Sequence, residues 1–156
     1  MQALNRAYQE RRKDPMQKIE EVILLMMLAA CAADDMKQRS IPVWMPLAGF
    51  AALMILSPFA VELSLPERCL GFGMGLVFLA FSVLSGGRIG TGDGILLCVT
   101  GFALGLWDNL LLAFYGLAAA AVFCMFLLAL GKATGKSRIP LVPFLCVGFL
   151  QMILLR

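Results

Sequence analysis

The run LLLAFYGLAAAAVFCMFLLAL, Leu110 to Leu130, contains 21 residues and no charge. A helix that spans a bilayer needs about 20 mostly apolar residues, so this stretch alone is long enough. Its apolar residues are continuous, whereas the strands of a membrane barrel alternate apolar and polar at every second position. Backbone groups in lipid must bond within their own segment, which leaves a helix. The rest of the chain is of the same kind. Of its 156 residues, 61% are hydrophobic and 15% charged, and mean hydropathy is +0.88. A soluble domain carries about a quarter charged residues.

Six apolar segments are predicted to be helices: Ile19–Met36, Ile41–Val61, Cys69–Gly87, Asp93–Trp107, Asn109–Gly131 and Ile139–Leu155. The expected fold is an all-α membrane protein, a polytopic bundle of six transmembrane helices over residues 19–156. Residues 1–18 form a polar tail that can lie along the membrane as a short surface helix. The polar start, with no small-residue cleavage site after a compact apolar region, argues against a cleaved signal peptide. Gly71, Gly73 and Gly75 follow no strand and so are no dinucleotide fingerprint. Small residues on a membrane helix let a neighbouring helix approach closely.

Charge predicts the topology. The first, third and fifth connections hold Lys37, Arg39, Arg88, Lys132, Lys136 and Arg138. The second and fourth hold Arg68 against Glu62, Glu67 and Asp108. Lysine and arginine favour the cytoplasmic side, so the odd connections are expected there and both termini outside. The basic residues of the N-terminal tail run against this placement.

The chain has no histidine, which removes the serine–histidine–aspartate triad, the cysteine–histidine pair and the HExxH zinc site. Cys31, Cys69, Cys98, Cys124 and Cys146 stand singly in or beside apolar runs and form no CxxC pair, as expected of small apolar side chains rather than zinc ligands. Ser40, Ser85 and Ser137 fall at helix ends, where capping is the ordinary role. Of the carboxylates, Glu10, Asp14, Glu20, Glu21, Glu62, Glu67 and Asp108 read as solvated charges in tails or outer connections.

Asp34, Asp35 and Asp93 differ. The apolar run before Asp34, Val22 to Ala33, is too short to cover about 30 Å at 1.5 Å per residue. The run after Asp93 is also short. Asp35 and Asp93 are therefore drawn toward the membrane boundary on one side, where an ionisable group is costly and points to function. The competing reading makes Asp93 a helix N-cap.

Three motifs sharpen the choice: DMKQRSIP from Asp35, GTGD ending at Asp93, and RIPLVPFL from Arg138 to Leu145. Together they resemble the type IV prepilin peptidase family, the GxGD-type aspartic membrane proteases, from about Val22 to the C-terminus. The resemblance implies catalytic Asp35 and Asp93, supported by Gly90, Gly92, Ile41, Pro42, Pro140 and Pro143. It departs from the family at Ile95, where a lysine is common, at Val43, where asparagine is common, and at Leu141 and Val142 in place of Phe-Gly. It further implies an aspartic endopeptidase that removes the basic leader of a prepilin-like substrate after a glycine, at the cytoplasmic boundary of the inner membrane. The methyltransferase region of larger members is absent, so peptidase activity alone is expected, with no metal, no cofactor and no nucleic-acid partner.

Two close carboxylates share a proton, one acting as base and the other as acid. Helix-end dipoles favour charge on Asp93, at a helix start, over Asp35, at a helix end. The glycines of GTGD are expected to permit a loop conformation and leave room for substrate backbone beside Asp93. Three other readings stay open: a presenilin- or signal-peptide-peptidase-like intramembrane protease, whose Pro-Ala-Leu motif this chain lacks; a transporter; and a non-catalytic assembly protein.

Overall fold

The computed structural model describes residues 15–38, 42–58, 63–84, 90–131 and 140–155. Ile41, and the cationic residues Arg39, Arg88, Lys132, Lys136 and Arg138, lie outside them, as do the tail residues 1–14. The described residues form five helices, with no strand among them: α1 (Pro15–Gln38), α2 (Trp44–Leu56), α3 (Leu65–Leu84), α4 (Thr91–Ala129) and α5 (Val142–Leu155). Of these, α3 and α4 are long and apolar enough to cross a membrane, and α2 and α5 are shorter apolar helices.

The element α4 is one helix in name only. A straight helix would separate residues 97 and 109 by about 18 Å. Instead the Asn109 amide donates to the Leu97 carbonyl at 3.1 Å, and Thr100 Oγ1 donates to Asn109 Oδ1 at 2.7 Å. The chain therefore folds back between them. The reversal is at Gly105, with φ 78° and ψ −178°, a conformation open essentially to glycine. Limb 91–104 and limb 106–129 thus run antiparallel. The sequence reading also divides this stretch in two, but at Trp107–Asn109, where polarity rises. The structure turns earlier and draws Asn109 inside the bundle, fully buried. The second limb ends at Gly131, φ 64°, the left-handed residue that commonly closes a helix.

Close backbone contact holds α3 to the first limb of α4. A Cβ at Gly71 would collide with the Gly101 carbonyl oxygen, and one at Gly75 with the Cys98 backbone nitrogen. Gly71 and Gly75, one turn apart, make the face along which the two backbones meet, as small residues do between membrane helices. Gly73 has nothing within 4 Å and takes no part in this seam, contrary to the reading that grouped all three. On the other side, Gly116 packs on Leu145, Phe123 lies 5.2 Å from Phe144, and Gly148 meets Tyr115. These contacts seat α5 against the second limb. α1 packs on α5 and α2, and the core they share includes Leu24, Leu28, Cys31, Val142, Leu145 and Phe149.

Large apolar side chains also cover the outside: Trp44, Ile55, Leu70, Phe81, Leu84, Trp107, Phe114, Met125 and Leu154 are all exposed. Contiguous apolar surface on this scale marks an exterior that meets something other than water. At the start of α3, Ser64 donates through both its N–H and its hydroxyl to Glu67 Oε2, at 3.2 and 3.1 Å. Glu67 thus supplies the glutamate half of a capping box on the helix's first turn.

Glu20, read from sequence as a solvated charge, and Arg68, read as part of an outer connection, are both buried. Glu20 is 5% exposed and Arg68 1%, and their Oε1 and Nη2 atoms pair at 3.3 Å. Arg68 Nη1 also donates to the Phe102 carbonyl at 3.3 Å, and the guanidinium lies 5.5 Å over the Phe102 ring. The reason is local. In an unbroken helix the Phe102 carbonyl would accept from residue 106, but the reversal at Gly105 intervenes. A buried carbonyl needs a partner, and Arg68 supplies one while Glu20 balances its charge.

Two outcomes are expected. Gly75→Leu lowers the midpoint of detergent thermal unfolding by the equivalent of about 1–3 kcal/mol, the usual cost of overpacking, whereas Gly73→Leu leaves it unchanged. Arg68→Met costs about 3–5 kcal/mol because it strands a buried carboxylate, and Glu20→Leu added to it restores part of the loss, the Phe102 carbonyl still lacking its donor. Equal midpoints for the two single glycine variants, or no recovery in the Arg68/Glu20 double variant, contradict the packing described.

Candidate active site

One end of the bundle gathers the motif residues. α1 reaches it with its last turns, α4 begins there, and α5 begins there because the second limb of α4 has carried the chain back. Asp35 is 6% exposed, while the adjacent Asp34 is half-buried. Adjacent helical residues point about 100° apart, so one of the pair faces the bundle, and that one is Asp35. Asp93 is half-buried in the first turn of α4. The two carboxylates come from separate helices, Asp35 from the last turns of α1 and Asp93 from the first turn of α4. Cys31, fully buried, stands one turn before Asp35 on α1.

Gly90, not Asp93, is the N-cap of α4, and its backbone is extended, φ −61° and ψ 122°. The N-cap reading of Asp93 is therefore set aside. Asp93 is the third helical residue, and its N–H donates to the Gly90 carbonyl at 3.2 Å. Nor does position 90 need glycine for its conformation, since φ is ordinary. It needs glycine for space: a Cβ there would stand 2.7 Å from Asp93 Oδ2. Gly92 is half-buried between them. Pro42 is half-buried ahead of α2 and accepts the Met45 N–H at 3.1 Å. Pro140 precedes α5, and Pro143 is its second residue, both half-buried.

Asp35 has one partner that composition and spacing did not reveal. Its Oδ2 accepts the backbone N–H of Val142, at the start of α5, at 3.3 Å. This alters the helix-end argument for dividing the two roles. Asp35 lies near the negative end of its own helix, but the positive end of α5 points at it. Both acids therefore sit at helix N-termini, Asp93 at its own and Asp35 at another's. The only hint in the sequence was the proline-rich IPLVPF stretch, whose prolines suit a helix start.

Among the described residues no group of three or more histidine, cysteine, aspartate or glutamate side chains could hold a metal ion. What the site offers is a pair of carboxylates at one end of an apolar bundle, an arrangement suited to general acid–base chemistry.

A helical bundle with apolar exterior and two acids at one end defines a class of membrane-associated protein with a carboxylate pair. The family follows from comparison: the model of the type IV leader peptidase family matches residues 22–145, and the chain belongs to that family. It is accordingly a protease of the leader-peptidase kind. No curated protein and no solved structure matches it.

Gly90→Ala is expected to push a methyl into the Asp93 carboxylate and turn that side chain aside. Peptidase activity should fall by at least about tenfold, an order set by misplacing one catalytic group, with thermal unfolding nearly unchanged. Full activity in this variant contradicts the packing of Asp93 on Gly90.

Proposed function

We propose that the protein is a membrane aspartic endopeptidase in which Asp35 and Asp93 form the catalytic pair. What supports this reading is membership of the leader peptidase family together with the burial of Asp35, on α1, at the end of the bundle where α4 begins with Asp93 in its first turn. The six helical segments, counting the limbs of α4 separately, cross the inner membrane with the acidic end toward the cytoplasm. The substrate is a prepilin-like protein with a basic leader, a glycine before the cut and an apolar helix after it.

The chemistry follows from sharing one proton. The ionised carboxylate takes a proton from a water molecule as its oxygen bonds to the scissile carbonyl carbon. The neutral carboxyl donates a hydrogen bond to the carbonyl oxygen, where negative charge develops. As the C–N bond breaks, a proton passes to the leaving amine and the new carboxyl end departs. The water supplies both the hydroxyl of one product and the hydrogen of the other, so no other reactant is consumed. Gly90, by keeping close to Asp93 without a side chain, leaves one flank of the pair open to an extended substrate backbone.

The test is cleavage of a synthetic peptide with basic leader, glycine and apolar helix by the purified protein in detergent. Asp35→Asn and Asp93→Asn should each lower kcat by about 10²–10⁴-fold, the range for loss of an acid or base. Asp34→Asn should retain substantial activity, and EDTA should have no effect. Turnover by the Asp93→Asn protein, or loss on chelation that zinc restores, rules the reading out.

A further inference from the structure

The first four residues of α5 have three backbone donors, and each can be traced. Phe144 and Leu145 both donate to the Leu141 carbonyl, at 3.0 and 3.1 Å. Pro143 has no N–H to give. That leaves Val142, the first helical residue, whose N–H points out of the helix and meets Asp35 Oδ2 at 3.3 Å. Leu141, at the cap position, has no side-chain oxygen with which to satisfy it. The acceptor a serine or aspartate would ordinarily provide at a helix start comes instead from a different helix.

The geometry points to Val142, through its backbone N–H, as a positioning residue for the peptidase reaction: it fixes the Asp35 carboxylate so that Oδ2 is occupied and Oδ1 is left for water and substrate. The inference rests on the assignment of Asp35 to the catalytic pair. Three observations converge on it. Asp35 is more than nine-tenths buried, so water does not compete freely for Oδ2. Pro143 clears the neighbouring donor from the first turn, and a proline is compatible with that position. Val142 is itself wholly buried between α1 and the body of the bundle, so the N–H cannot swing away. The IPLVPF stretch thus begins a helix where a carboxylate must be held, and does so without a polar side chain of its own.

Removing this one N–H tests the idea. Val142→Pro deletes it, keeps the Leu141 carbonyl as an amide, and places proline at the first helical position, where it is favoured. An ester at the 141–142 linkage, made by incorporating the hydroxy acid analogue of valine, deletes it with the side chain intact. Both should lower kcat on the leader peptide by about ten- to a hundredfold, the worth of a hydrogen bond to a charged group, with KM changed by no more than about twofold. Val142→Ala, which keeps the N–H, should retain the larger part of kcat. If Val142→Pro does not fold, the ester decides the matter alone. Normal kcat in the ester protein overturns the inference, as does an alanine variant as slow as the ester. Turnover by Asp35→Asn overturns the catalytic pair itself, so the two failures are told apart.

Discussion

Everything at the acidic end depends on the reversal at Gly105. Without it, the 39 residues of α4 would extend about 58 Å and deliver α5 far from where α4 began. With it, the chain returns, α5 starts beside the first turn of α4, and an N–H of α5 can meet Asp35. The reversal is costly in a membrane-like interior because it leaves a carbonyl without its helical donor. Arg68 and Glu20 offset that cost at one side of the turn. Asn109 and Thr100 stitch the two limbs together at the other.

The bundle thus keeps its buried polar groups in separate places with separate roles. Glu20 and Arg68 are at the far end of α1 from Asp35, about 22 Å away along the helix. At that end a charge pair is fully matched, and it serves the fold. At the other end Asp35 is buried with the Val142 N–H as its partner, and Asp93 stands half-buried in the first turn of α4. Between the two ends the core is mostly apolar, with Asn109 and Thr100 bonded to each other, and the glycine seam between α3 and α4 lets backbone stand against backbone.

Much of this was legible in the sequence, for definite reasons. Long uncharged runs admit one structure in lipid, so the helices could be placed to within a few residues. The shortness of Val22 to Ala33 signalled that Asp35 would be pulled inward, and it is buried. GTGD and IPLVPF pointed to the family to which the chain belongs. Other features were not legible. Glu20 and Arg68 are far apart in sequence and each looks like an ordinary surface charge; the Phe102 carbonyl, deprived of its helical donor, explains their burial. The turn was placed at Trp107–Asn109 because polarity rises there, whereas the decisive property is the backbone freedom of Gly105. Gly73 looked equivalent to Gly71 and Gly75, but helical periodicity turns it off the seam. The bond from Val142 involves no side chain of that residue, so no residue type could announce it.

The hydrogen bond between α1 and α5 bears on how genetic experiments with this protein are read. A carboxylate that caps a helix has a structural role even when no substrate is present. Asparagine at position 35 keeps an oxygen that the Val142 N–H can still find; alanine leaves that donor buried and alone, at a cost of about 1–3 kcal/mol. An alanine scan would therefore record lost abundance and lost chemistry as one phenotype. Comparing alanine with asparagine at that single position separates the residue as a beam from the residue as a tool.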